Sequence, residues 1–115
     1  MAQDPLVIEE LAGPQDGQHV FRLVGPVVLT TVFDFQSKLR TDTSKTLIID
    51  FTKVPYVDSA GIGALVGAYV NRQKDGRSLL LVGVSERIRH ALQVTHVEQF
   101  FQYSDSMPGS ANGTD

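Results

Sequence analysis

The sequence predicts an α/β fold: a mixed sheet of four to five strands with its helices mainly on one face, in the order β-β-α-β-α-β-α-β. Three observations predict it. Two short strand patterns near the start are separated by the turn-forming run Gly13-Pro14-Gln15-Asp16-Gly17, which reads as a hairpin. From Thr46 onward, short strand-like runs alternate with apolar residues at helical spacing, as in parallel βαβ units. Leu47-Ile48-Ile49 is continuously apolar rather than alternating, which fits a central strand covered by helices on at least one face.

Each element has its own signal. Residues 6–11 form an apolar run with two acids and read as an edge strand. Residues 19–24 form the second strand, with His19, Phe21 and Leu23 on one face and Val20, Arg22 and Val24 on the other. Gly25-Pro26 breaks it. Thr30 or Thr31 can cap a first helix, and Asp34 stands three residues after Thr31 in a capping-box-like arrangement. Val32, Phe35, Gln36 and Leu39 follow the i, i+3, i+4, i+7 pattern, and the polar run 40–44 should end the helix. Residues 46–51 are the third strand. The second helix, about 59–74, buries Ile62, Leu65, Val66 and Tyr69, and Asp75-Gly76 stops it with glycine in the left-handed position. Residues 78–82 are another central strand. Ser85 caps a third helix with Ile88, Ala91 and Leu92 inward and Arg87, Arg89 and His90 toward water. Residues 100–103 read as a last short strand. Residues 1–103 thus form one domain, and the small, polar residues 104–115 are expected to be a disordered tail without a further helix.

Composition excludes several function classes. The chain has 115 residues, 42% hydrophobic and 20% charged, enough for one ordinary globular core. A net charge of −3 is too mild to argue for direct nucleic-acid binding or an anionic membrane surface. There is no cysteine, so disulfides, thiolate metal sites and cysteine nucleophiles are out. No apolar run approaches the roughly 18 residues of a spanning helix. Met1-Ala2-Gln3-Asp4-Pro5 lacks the basic-then-apolar order of a signal peptide, so a cytoplasmic location is expected.

The most informative stretch runs from Asp50 to Gly67, DFTKVPYVDSAGIGALVG. It reads as strand, loop and helix, with the hydroxyl of Ser59 delivered to a helix N-terminus. Unpaired backbone N–H groups and the macrodipole favour negative charge there, so Ser59 could carry a phosphate. Asp58 or Ser59 could equally do no more than cap the helix. Gly61, Gly63 and Gly67 each cost a helix interior about 1 kcal/mol relative to alanine. Tight packing on the sheet and a smooth seat for a partner near Ser59 both explain them.

Other chemistries fit poorly. As a dinucleotide fingerprint, Gly61-Ile62-Gly63 is incomplete: the third glycine is at 67 rather than 66, and Val82-Gly83-Val84 stands where an acid is needed. No P-loop lysine pattern exists. His19, His90 and His96 are scattered and lack metal spacing, and Ser59, Asp58 and any one histidine make only a nominal triad without G-x-S-x-G. Asp50 and Asp58 flank one loop, either as an acidic pair for a metal or as a strand-end acid and a cap. No catalytic residue, cofactor or metal is expected, and the chain reads as a binding module rather than an enzyme.

Leu47-Ile48-Ile49-Asp50-Phe51 followed by Val57-Asp58-Ser59-Ala60-Gly61-Ile62-Gly63 resembles the STAS domain of bacterial anti-sigma factor antagonists. Gly76-Arg77-Ser78-Leu79-Leu80-Leu81-Val82, Ser85-Glu86-Arg87-Ile88, Leu92 and Thr95-His96-Val97 extend the likeness over roughly residues 6 to 103. The resemblance implies a STAS-like fold and a partner that is both anti-sigma factor and serine kinase, with Ser59 as phosphoacceptor and a serine phosphatase to reverse the modification. It implies a partner-binding surface of Asp58, Ser59, Ala60, Gly61, Ile62 and Gly63. Two features depart from the family pattern: Gly25-Pro26-Val27-Val28 carries no acid where the family usually has one, and a C-terminal helix is missing. The missing acids leave open a non-switching scaffold or transporter-associated STAS module, and the glycines of the second helix a nucleotide-binding one.

Overall fold

The computed structural model describes residues 4–108. Strand β1 (Val7–Ala12) pairs antiparallel with β2 (Gln18–Val24), from Val7 opposite Val24 to Ala12 opposite His19. The turn between them is held by Gly13 N–H donating to Gln18 O and by Gly17 at φ 83. After β2 come helix α1 (Val32–Thr41), strand β3 (Thr46–Lys53), helix α2 (Ser59–Lys74), strand β4 (Ser78–Val82), helix α3 (Glu86–Val94) and strand β5 (Gln102–Ser104). β2, β3, β4 and β5 run parallel in one five-stranded sheet of order β1-β2-β3-β4-β5. The expected mixed sheet and element order are therefore present.

All three helices lie on one face. Phe21, Leu23, Leu47, Ile49, Phe51, Leu79 and Leu81 point from the strands into a core closed by Val32, Phe35 and Leu39 of α1, Ile62, Leu65 and Ala68 of α2, and Ile88 and Leu92 of α3. Each such aliphatic side chain, fully buried, contributes roughly 1.5–3 kcal/mol. The opposite face carries a smaller cluster of Val20, Ile48 and Val82, with Leu80 and Met107 packed against it. The alternation read for β2 follows this division.

Several local expectations are corrected. Thr31 occupies the N-cap position of α1 but makes no side-chain cap, so the capping box with Asp34 does not form. Its hydroxyl instead donates to Pro26 O at 2.9 Å and accepts from Val28 N–H at 3.0 Å, because the buried Pro26–Val28 turn offers nearer partners. Val66 and Tyr69 are only half-buried, while Ala64, Ala68 and Arg72 are buried. Arg89 does not simply face water: its guanidinium lies 3.8 Å from the Tyr103 ring centroid and its Nε 2.6 Å from Glu98 Oε2. The last strand begins at Gln102, since Glu98–Phe100 closes a 3-10 turn and sends Phe101 into the core. Ser104 ends β5 rather than opening a tail, and of the tail expected over 104–115 the part from 109 onward lies outside the described residues.

Candidate functional site

The site forms where two loops meet at the C-terminal end of β3. After β3 the chain buries Val54, then Val57 bridges Val27 of the β2–α1 loop in parallel. Val27 N–H donates to Tyr56 O at 3.2 Å and Asp58 N–H donates to Val27 O at 3.3 Å. This pairing fixes the start of α2 against the loop after β2.

Asp58 uses both carboxylate oxygens to lock the corner. Oδ1 accepts from Ala60 N–H at 2.9 Å and Gly61 N–H at 3.1 Å, which caps α2. Oδ2 accepts from Leu29 N–H at 3.0 Å, which ties the β2–α1 loop to the helix start. Ser59, the first helical residue, is exposed, and its hydroxyl makes no hydrogen bond among the described residues. The capping duty thus falls to Asp58 alone. The serine is left at the positive end of a 16-residue helix, where phosphate is electrostatically favoured.

The three glycines separate into two kinds. A Cβ on Gly61 would lie 2.4 Å from Val27 O, so close approach of the β2–α1 loop requires glycine there. A Cβ on Gly63 or Gly67 would meet nothing within 4 Å. Packing within the domain therefore explains the first and leaves the other two without an internal reason. Of the sequence-derived surface, Ser59 and Gly63 are exposed, Asp58 and Ala60 half-buried, and Gly61 and Ile62 face inward. Sequence reasoning missed Leu29, 60% exposed and bonded to Asp58 at this corner, and Phe33, 66% exposed in the first turn of α1. Phe33 was detectable, since it falls off the apolar stripe of Val32, Phe35 and Leu39.

The remaining candidates do not converge here. Asp50 is buried, accepts from Thr52 N–H and Oγ1, and lies 3.6 Å from Arg22 Nε. It therefore makes no pair with Asp58. His19 contacts Asp42, and His90 and His96 are exposed on other segments. Among the described residues no group of three His, Cys, Asp or Glu could hold a metal ion, and no described helix is long and apolar enough to cross a membrane.

Fold and corner together define a small α/β module with an exposed serine at the start of its second helix. The STAS domain model matches residues 12–108, and the chain belongs to that family. It is 33% identical over 67 residues to an anti-sigma-B factor antagonist of Listeria monocytogenes, a match covering 58% of this chain and 58% of that protein's length. Its fold matches that of an anti-sigma factor antagonist from Mycobacterium paratuberculosis with a TM-score of 0.72 at 20% identity, covering 87% of each chain. It also matches the Bacillus cell fate determinant SpoIIAA in its phosphorylated form, with a TM-score of 0.69 at 18% identity over 87% of this chain and 93% of that one. At such identities the structural likeness speaks to the fold alone.

Proposed function

We propose that this chain is an anti-sigma factor antagonist: it binds an anti-sigma factor with serine kinase activity, and phosphorylation of Ser59 ends that binding until a serine phosphatase restores it. The observation that carries the reading is the exposed, unbonded Ser59 hydroxyl held at the α2 N-terminus by a neighbour that does the capping. Family membership and the Listeria relative support it. Phosphate adds about −1.5 to −2 charges next to Asp58, on a surface that a partner must desolvate. Repulsion and desolvation then break the complex without refolding the domain. The chain is the substrate of this phosphoryl transfer and contributes the accepting hydroxyl. The catalytic base belongs to the kinase.

The test is incubation with the cognate anti-sigma factor kinase and ATP, with the phosphate located by mass spectrometry. The expected product carries one phosphate, on Ser59. Ser59→Ala should bind the partner and resist release, and Ser59→Asp should bind at least about ten-fold more weakly. Phosphate elsewhere, or none, overturns the switch. A Ser59→Ala strain with unaltered function would point to a non-switching scaffold or transporter-associated module instead. Calorimetry with nucleotides should give a flat trace, and a binding isotherm would favour a nucleotide module.

A further inference from the structure

We propose that the groove between α1 and α2 seats an amphipathic helix of the anti-sigma partner, with its apolar face on Gly63 and Gly67 and an acidic residue at the Arg40 end. The inference rests on the reading of Ser59 given above. Ser59, Gly63, Gly67 and Asn71 recur at four-residue steps on α2 and are all exposed. Gly63, Gly67 and Asn71 face Gln36, Leu39 and Arg40 of α1 across a groove of about 130 Å³ whose floor is Leu39, Ala64 and Ala68, and Ser59 stands one turn before Gly63, outside it. From Ser59 to Asn71 this stripe is about 18 Å long, the length of a three-turn helix.

Three observations select the occupant. Gly63 and Gly67 weaken α2, yet a Cβ on either would meet nothing within 4 Å, so no contact inside the domain requires glycine there and an approach from outside would. Two large apolar side chains stand in water on the segments that lead to the groove, Leu29 in the β2–α1 loop and Phe33 in the first turn of α1. Leu29 is tied there by its N–H bond to Asp58, and Phe33 lies one turn before Gln36 on α1. At the other end stands Arg40, and Lys74 follows one turn after Asn71. Among the described residues neither is in an ion pair, and no carboxylate lines the groove. An apolar trough with a basic end complements a helix that is apolar along one face and acidic at one end. A partner seated this way lies along α2 and meets Ser59 at the end of its track, so affinity and phosphoacceptor share one surface.

The experiment compares three full-length variants with the wild type, measuring thermal unfolding, binding to the cognate anti-sigma factor kinase by calorimetry at two salt concentrations, and Ser59 phosphorylation. Gly67→Leu fills the groove from a position where a Cβ has open space. It should unfold at or above the wild-type temperature and bind at least about ten-fold more weakly. Gly67→Ala should fall between the two. Arg40→Glu should weaken binding, and high salt should shrink its deficit. A well-folded Gly67→Leu that binds like wild type overturns the groove. Should Gly67→Leu fail to fold, unchanged binding by Arg40→Glu overturns it. A dimer of this chain that Gly67→Leu dissolves would overturn it too, assigning the groove to a second copy. If the wild type itself neither binds the kinase nor is modified, the Ser59 reading falls. If the wild type binds and the variants match it, only the groove falls.

Discussion

Under the proposed switch a phosphoacceptor must be held still and left uncovered; Asp58 caps the helix start while the Ser59 hydroxyl stays exposed. Asp58→Ala removes two helix-cap bonds and the tie to Leu29 together. Chemical denaturation should report a loss of about 1–2 kcal/mol, the range of N-cap deletions. The glycines allow a sharper test, because the sign of the effect should change within one turn. Gly61→Ala drives a methyl group into the Val27 carbonyl and should cost about 1–3 kcal/mol. Gly63→Ala meets open space and should gain up to about 1 kcal/mol. Denaturant midpoints of the two purified variants, one below and one above the wild type, check this. The sequence made the serine legible, because a cap residue beside it and a helical pattern after it are local facts. It could not sort the glycines. Which of them is crowded depends on where the β2–α1 loop crosses, thirty-odd positions away in the chain.

At the scale of elements, one buried arginine joins the C-terminal end of α2 to the α1–β3 connection and to the start of β4. Arg72, 2% exposed, donates from Nε to Ser78 O at 2.8 Å, from Nη1 to Asp42 Oδ2 at 3.1 Å and from Nη2 to Ser44 O. Asp42 also receives His19 Nδ1 at 2.6 Å and the Ser44 hydroxyl. Removing one partner strands a buried charge, so Arg72→Ala should cost about 3–5 kcal/mol in denaturant unfolding. Burial alone works against the Asp42 carboxylate, yet hydrogen bonds from Ser44, His19 and Arg72 hold its carboxyl below the ordinary range. The folded state therefore binds fewer protons there than the unfolded chain, whose value is about 3.9. This stabilisation is complete above that pH and is lost as pH falls through the lower folded value. Stability of Asp42→Asn, measured by denaturant titration from neutrality into acid, should change less across that window than wild type. Helix and strand positions were readable because periodicity and caps mark them. The buried arginine was not, because α2 offered it as one more polar residue in a basic last turn. The end of the chain was misjudged for a related reason. Phe100 to Tyr103 looks like one strand, but Tyr103 donates to Glu98 O at 2.7 Å and stacks under Arg89, contacts that favour a turn before Phe101.

Across the whole molecule, α2 is the bar that any change at Ser59 must act through. Its first turn carries the hydroxyl, its middle packs Leu65 and Ala68 into the main core, and its last turn is pinned by Arg72. A helix anchored along its length is a poor candidate for melting by one added charge. Negative charge at its N-terminus interacts favourably with the dipole by about 0.3–1 kcal/mol, and repulsion from Asp58 offsets part of that. Two accounts of switching can thus be separated. If phosphate acts by repelling the partner, Ser59→Asp should keep unfolding stability within about 1 kcal/mol of wild type and retain amide exchange protection throughout α2, while partner affinity drops. If phosphate acts by unfolding the site, the same variant should lose protection from the first turns of α2 and bind poorly for that reason. Hydrogen exchange on Ser59→Asp beside its binding isotherm decides between them. The anchoring of α2 at both ends predicts the first outcome, with the domain unchanged and the surface alone altered.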